Sequence, residues 1–278
     1  MLIRFNVGNF LSFSENELGK SEEFSMITDK NIRNKKKHIY DNDEIQLLKF
    51  AAVYGKDETG LKNLLKAMKF MKNTILNGLP SDCEEMYCKI DESNKIKPSY
   101  FELEIMIDDK YYAYGFQVIL NQRKFVSEWL VELKSDGSEK IIYERGFSDI
   151  DNKLLLPSVK EKVMRSIYQW IKKDFVIYSS DLNNKPDDLV VEEDRAYVIS
   201  FENYKDQKEI YSFVEEYLKL TEKRKIQLII TTKATNLMDL KLLRRDEIWF
   251  IYRKWTKNHS ICSLDEFDDR FDKNLEIA

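Results

Sequence analysis

The chain has 278 residues, 43% of them hydrophobic and 13% aromatic, enough apolar material for one large α/β domain or two small ones. Charged residues reach 34% but divide into 45 basic and 49 acidic, and a net charge of −4 gives no whole-chain argument for nucleic-acid binding, which leaves that partner unknown. No apolar run approaches the ~20 residues a membrane span needs, and the opening MLIRFNVGNFLSF carries Arg4 and is no signal peptide, so no membrane partner and a cytoplasmic location are expected.

In chain order, residues 2–13 alternate apolar and polar and predict an edge strand entering a turn at Gly8–Asn9. Residues 20–44, with the run Lys35–Lys36–Lys37, read as a solvated loop. Leu47 to Tyr54 is a short apolar run stopping at Gly55, the pattern of a strand buried on both faces. Beyond Gly60, apolar residues at Leu61, Leu64, Leu65, Met68, Met71, Ile75 and Leu76 have helical spacing and end near Gly78–Leu79–Pro80.

Residues 99–145 carry four alternating runs separated by Asp108–Asp109, Asn121–Gln122 and Ser135–Asp136–Gly137, which predicts an antiparallel meander. An amphipathic helix over 158–172, a short strand in DFVIYSS and an acidic loop over 181–195 follow. RAYVISF then predicts a strand, QKEIYSFVEEYLKLTE a helix, KIQLIITTK a buried strand, NLMDLKLLRR a short helix or turn and DEIWFIYRK a strand. Strands alternating with helices point to a parallel sheet with crossovers. The expected fold is therefore α/β: a mostly parallel sheet with helices, plus an antiparallel meander inserted after the first helix.

The cysteines Cys83, Cys88 and Cys262 cannot all pair and show no zinc spacing, and the two histidines, His38 and His259, stand apart from them. They read as reduced thiols, and no metal site is expected. The tryptophans Trp129, Trp170, Trp249 and Trp255 are dispersed and read as core or interface.

Chemistry concentrates around Gly55. FAAVYGKDETGLKNLLKAM reads strand, loop, helix, with Gly55 and Gly60 at the glycine positions of a phosphate-binding GxxxxGK[ST] loop. Such a loop turns backbone N–H groups and a helix N-terminus toward phosphate, while its lysine reaches the β/γ-phosphates and its hydroxyl holds Mg²⁺. Here the lysine slot is Leu61 and the hydroxyl slot Lys62. A one-residue shift turns a helical side chain by about 100°, so Lys62 does not replace the lysine. Asp57 and Glu58 add negative charge inside the loop, each worth about 4 kcal/mol of repulsion against a phosphate charge ~4 Å away at an effective dielectric near ~20, and Lys56 offsets part of it. From the motif alone, an ordinary strand–turn–helix with two incidental glycines stays open.

Longer strings bear on that choice. MLIRFNVGNFLSF, LLKFAAVYG, Asn63–Leu64–Leu65, Glu128–Trp129–Leu130 and TTKATNLMDLKLLRRDEIWF lie along nearly the whole chain. On them the chain resembles a family of bacterial P-loop, ABC-type ATP-binding proteins related to the overcoming-lysogenization-defect nucleases. The resemblance implies one ABC-ATPase-like domain over 1–278: an N-terminal strand and P-loop-like region (1–98), the meander (99–150), and Walker B-like and C-terminal strands (151–278). It also implies ATP and Mg²⁺ as cofactors, and a phage-defence setting with an intact ATPase or an effector as protein partner.

The departures fall on the chemistry. The family's Walker B strand ends Asp-Glu; here Phe201 fills the aspartate slot and Glu202 remains as a residual base. The histidine after Thr-Thr that senses the γ-phosphate is Lys233. The helical lobe with its LSxG-type signature is reduced to residues 181–195, and no LSxG string occurs. An impaired member acting as scaffold, regulator or partner subunit is therefore expected. The alternative is a weak ATP-binding protein or ATPase with a rearranged site, using Gly55, Lys56, Gly60, Lys62, Asn63 and Lys233 with Glu202 as base.

A nucleic-acid effector role has little to stand on. Asp187–Asp188 and Glu192–Glu193–Asp194 form an acidic loop without metal-ligand pattern, Lys223–Arg224–Lys225 and Arg244–Arg245 flank strands, and Asp246–Glu247 reads as a structural strand edge.

Overall fold

The computed structural model describes residues 1–14, 21–32, 34–55, 58–134, 136–147, 152–158, 161–178, 192–201, 206–255 and 258–266. The N-terminal third carries strands β1 (Leu2–Gly8), β2 (Glu22–Ser25), β3 (Ile39–Asp41), β4 (Gln46–Leu48) and β5 (Phe50–Gly55), then helix α1 (Glu58–Asn77). The middle carries β6 (Ser99–Ile107), β7 (Lys110–Ile119), β8 (Lys124–Leu133) and β9 (Glu139–Gly146). Helix α2 (Lys162–Gln169) ends in a single π turn, Trp170–Asp174. The last third runs β10 (Phe175–Ile177), β11 (Ala196–Ser200), α3 (Gln207–Leu220), β12 (Gln227–Thr231), β13 (Ile248–Arg253) and β14 (His259–Ser263).

Contacts divide the chain into two compact units: 1–25, 62–175 and 253–260 form the first, and 26–61, 176–252 and 261–278 the second. The first holds a six-stranded sheet ordered β2-β1-β6-β7-β8-β9, antiparallel at every step. β6 and β8 alternate buried and partly exposed residues, the period a half-covered sheet requires. The β6–β7 turn is the one Asp108–Asp109 predicts: both residues adopt positive φ, 51° and 55°, as a two-residue type I′ hairpin demands.

Aromatic packing builds the core of this unit. Phe10 meets Phe70 of α1 at 5.0 Å and Phe101 of β6 at 5.1 Å, and Phe116 of β7 continues the chain of rings 5.4 Å from Phe101. All but Phe70 are completely buried, each such side chain contributing about 1.5–3 kcal/mol. The preceding Asn9 explains the shape of NFLSF. Its φ is 48°, its Nδ2 donates to the carbonyls of Asn94 (2.8 Å) and Lys97 (3.0 Å), and its Oδ1 accepts from the Cys88 backbone N–H (3.1 Å). An αL position suits asparagine, whose short amide satisfies local backbone.

The second unit is built on the sheet ordered β10-β11-β12-β5-β13-β14. Its centre is parallel: β12 pairs β11 on one side and β5 on the other, and β13 flanks β5. β11 and β12 are buried at every residue, and β5 at all but Gly55, the continuous apolar signature of a parallel sheet covered on both faces. The fold class is thus mixed α/β, with a parallel-centred sheet and a separate antiparallel one.

Several expectations need correction. β1 is no edge strand, since β2 and β6 flank it; the partner β2 lies in a polar stretch that shows no alternation. The antiparallel sheet is no simple insertion after the first helix, because the N-terminal β1 and β2 complete it. The segment 20–44 is not all loop: it contributes β2 and β3, the latter paired with β4. The run Leu47–Tyr54 is two strands, broken at Lys49, whose ammonium donates to the carbonyls of Thr221 (3.1 Å) and Glu222 (2.7 Å) just past α3. The helix expected over 158–172 is the shorter α2 with its π turn. Trp255, read as core or interface, is fully exposed, which removes the core half of that reading. The acidic stretch 181–195 falls mostly outside the described residues.

Candidate nucleotide-binding site

In open α/β sheets, ligands bind beyond the carboxyl ends of parallel strands. Gly55 stands at that end of β5, Phe201 follows β11, and Lys233 lies two residues beyond β12. β12 lies directly beside β5, with Thr231 opposite Val53 and the Thr232 N–H bonded to the Val53 carbonyl at 3.0 Å. Strand and helix follow each other as the sequence predicts: β5 ends at Gly55 and α1 begins at Glu58. Lys56 and Glu202 lie outside the described residues.

The residues in the key slots are turned to packing. Leu61, which the resemblance sets in the lysine slot, is completely buried. Phe201, which the resemblance sets in the Walker B aspartate slot, is 2% exposed, packs 5.7 Å from Phe213 of α3, and donates its N–H to the Thr231 carbonyl at 2.8 Å. A buried leucine offers phosphate no charge, and a core phenylalanine offers Mg²⁺ no oxygen. The residues of these two slots do not fit an ATP·Mg²⁺ site of the P-loop kind. Among the described residues, no three His, Cys, Asp or Glu side chains group to hold a metal ion. The three cysteines are free and buried.

The other candidates divide between the units. Gly55, Gly60 and Lys233 belong to the second; Lys62 and Asn63 belong to the first. Lys62 is half-buried and Lys233 exposed. Asn63 is 6% exposed, and its amide donates to the Ser12 hydroxyl at 2.8 Å.

Tyr54, one residue before Gly55, is a feature the sequence does not signal. It is 4% exposed, its ring lies 6.0 Å from that of Phe250, and its hydroxyl has no hydrogen-bond partner. Burial raises its pKa well above the ordinary phenol value, so it stays neutral. It reads in sequence as one more member of an apolar run.

RRDEIWF takes the structural role expected of it, and more. Arg244 is 1% exposed and forms a bidentate pair with Asp246, Nε to Oδ1 at 2.9 Å and Nη2 to Oδ2 at 2.7 Å. Its remaining Nη1 donates to the carbonyls of Ile32 and Asn34. Asp246 accepts from the Asp29 backbone N–H at 2.9 Å, and the buried Glu247 bonds His38 Nδ1 at 2.9 Å and the Arg244 N–H at 2.7 Å. Burial raises the Glu247 pKa, with His38 opposing the shift. Lys35 adds bonds to the Leu240 (2.6 Å) and Leu243 (2.9 Å) carbonyls. The lysine-rich stretch is therefore strapped down, and Arg244 is occupied inside the protein.

Comparison with known proteins gives little to set beside this geometry. No family model matches the chain, and no curated protein sequence matches it. Among solved structures, the chain is similar to the SMC head domain from Thermotoga maritima, at 11% identity and a TM-score of 0.44, over 94% of this chain and 98% of that one. Among the described residues, no helix is long and apolar enough to cross a membrane.

Proposed function

We propose that this protein is a catalytically impaired, ABC-type P-loop ATPase-like domain that works through its surfaces, as scaffold, regulator or partner subunit to an intact ATPase or an effector. The observation that carries this reading is the burial of Leu61 and Phe201, at 0% and 2% exposure, in the two slots where P-loop chemistry needs a phosphate-binding cation and a metal-ligating carboxylate. Removing one positioned charge of this kind typically costs a few kcal/mol of transition-state stabilisation, and here two are replaced together. The family resemblance supports the P-loop assignment, the cytoplasmic location and the phage-defence setting; the short stretch 181–195 supports a reduced helical lobe.

One observation favours the alternative of weak nucleotide binding. Lys233 is exposed just past β12, beside the strand that ends at Gly55, and Glu202 follows β11 in sequence. Titration calorimetry with ATP, ADP and GTP separates the two readings. The impaired-scaffold reading expects no saturable heat at millimolar nucleotide. Saturable binding that weakens at least tenfold in Lys233→Ala supports the alternative.

A further inference from the structure

The first unit contains a cleft of about 500 Å³ that the nucleotide site does not use. The last turn of α1 forms one side of it, and the start of β8 with residues 152–158 forms the other. The volume falls within the ~300–1,000 Å³ of small-molecule pockets.

The walls are held by specific bonds. Asn152 accepts from the Phe125 N–H at 2.8 Å and donates to the Arg123 carbonyl at 2.8 Å, which ties the 152–158 segment to β8. Arg123, at φ 52°, donates Nη1 to the Pro80 carbonyl (2.6 Å) and Nη2 to the Leu79 carbonyl (3.3 Å). The guanidinium is thereby fixed beside the end of α1. It carries five N–H donors, of which these carbonyls take two.

Charge indicates what the cleft takes. Arg123 and Lys153 line the cleft, and no acidic side chain does among the described residues. The helix C-terminus contributes roughly half a negative charge at most. The Gly78 N–H already bonds the Thr74 carbonyl at 2.9 Å there, and two full positive charges outweigh the remainder. Leu76, Phe125 and Leu154 supply an apolar wall.

We propose that this cleft binds a small amphiphilic carboxylate, with its acid group on Arg123 and Lys153 and its apolar body against Phe125 and Leu154. The inference is independent of whether nucleotide binds at Gly55.

Titration calorimetry with octanoate, using the full chain, tests it. Octanoate is expected to bind saturably at one site, with octan-1-ol, which lacks the charge, and acetate, which lacks the body, at least tenfold weaker. Lys153→Gln, at an exposed position, is expected to weaken octanoate several-fold, and Asn77→Trp, at the exposed rim beside the helix end, to weaken it by at least tenfold. Neither substitution touches the core, and an unchanged melting temperature confirms the fold of each. No saturable octanoate binding, equal affinity for octan-1-ol, or octanoate affinity unchanged in both variants overturns the proposal.

Discussion

At the scale of single residues, the buried carboxylates show most clearly what the sequence is made to do. Glu128 is completely buried on β8 and collects five partners. The Tyr114 (2.9 Å) and Tyr143 (3.0 Å) hydroxyls, Arg145 Nε (3.0 Å), and the N–H groups of Leu155 (2.8 Å) and Leu156 (3.2 Å) all donate to it. Removing one member of such a network strands the rest. Glu128→Ala is expected to cost about 3–5 kcal/mol by denaturant unfolding, and Glu128→Gln, which keeps an acceptor, less. A neutral Ala variant contradicts this role. Glu247 has a pH signature. Burial lifts its folded pKa above the unfolded value, so its contribution to stability is present below the unfolded pKa and falls as pH rises through the folded one. Glu247→Gln is expected to flatten that part of the stability–pH curve, and an unchanged slope argues against it. EWL and RRDEIWF were visible as strings, but their partners, spread from Asp29 to Tyr143 to Leu155, were not; burial is set by tertiary contacts that no local pattern reports.

At the scale of elements, patterns that are themselves local were legible. The four meander strands stand where alternation and turn residues put them, because each pairs with its neighbour in sequence. The missed elements have distant partners: β2 joins β1 across the polar stretch, and β14, not anticipated at all, is the outer strand beside β13. Within the meander, Gly115 lies opposite Trp129, whose ring is tilted against that of Tyr100 at 5.2 Å and which donates Nε1 to Glu102 at 2.7 Å. A Cβ at Gly115 would sit 2.6 Å from Trp129 Cε2 and 2.7 Å from the Phe101 carbonyl oxygen. Gly115→Ala is therefore expected to cost about 1–3 kcal/mol through overpacking and to shift the tryptophan fluorescence. A stability within 0.5 kcal/mol of the native chain, ~0.5 being the usual scatter of harmless substitutions, rules that packing out.

At the scale of the whole molecule, a parallel-centred sheet carries β5, which ends at Gly55, and α1 begins at Glu58, while Leu61 and Phe201 are committed to the interior. The sequence places Leu and Phe at these two positions, but that both side chains are core members is not legible in it, since burial is set by the tertiary contacts around them. Glu202 and Lys56 lie outside the described residues. The proposed impairment means that no phosphoryl transfer occurs at this site. Steady-state ATP hydrolysis by the purified protein, with and without Mg²⁺ and in parallel with Glu202→Gln, measures this most directly. Turnover indistinguishable from a protein-free control and identical in the variant is expected; Mg²⁺-dependent hydrolysis that Glu202→Gln abolishes would overturn the proposed impairment.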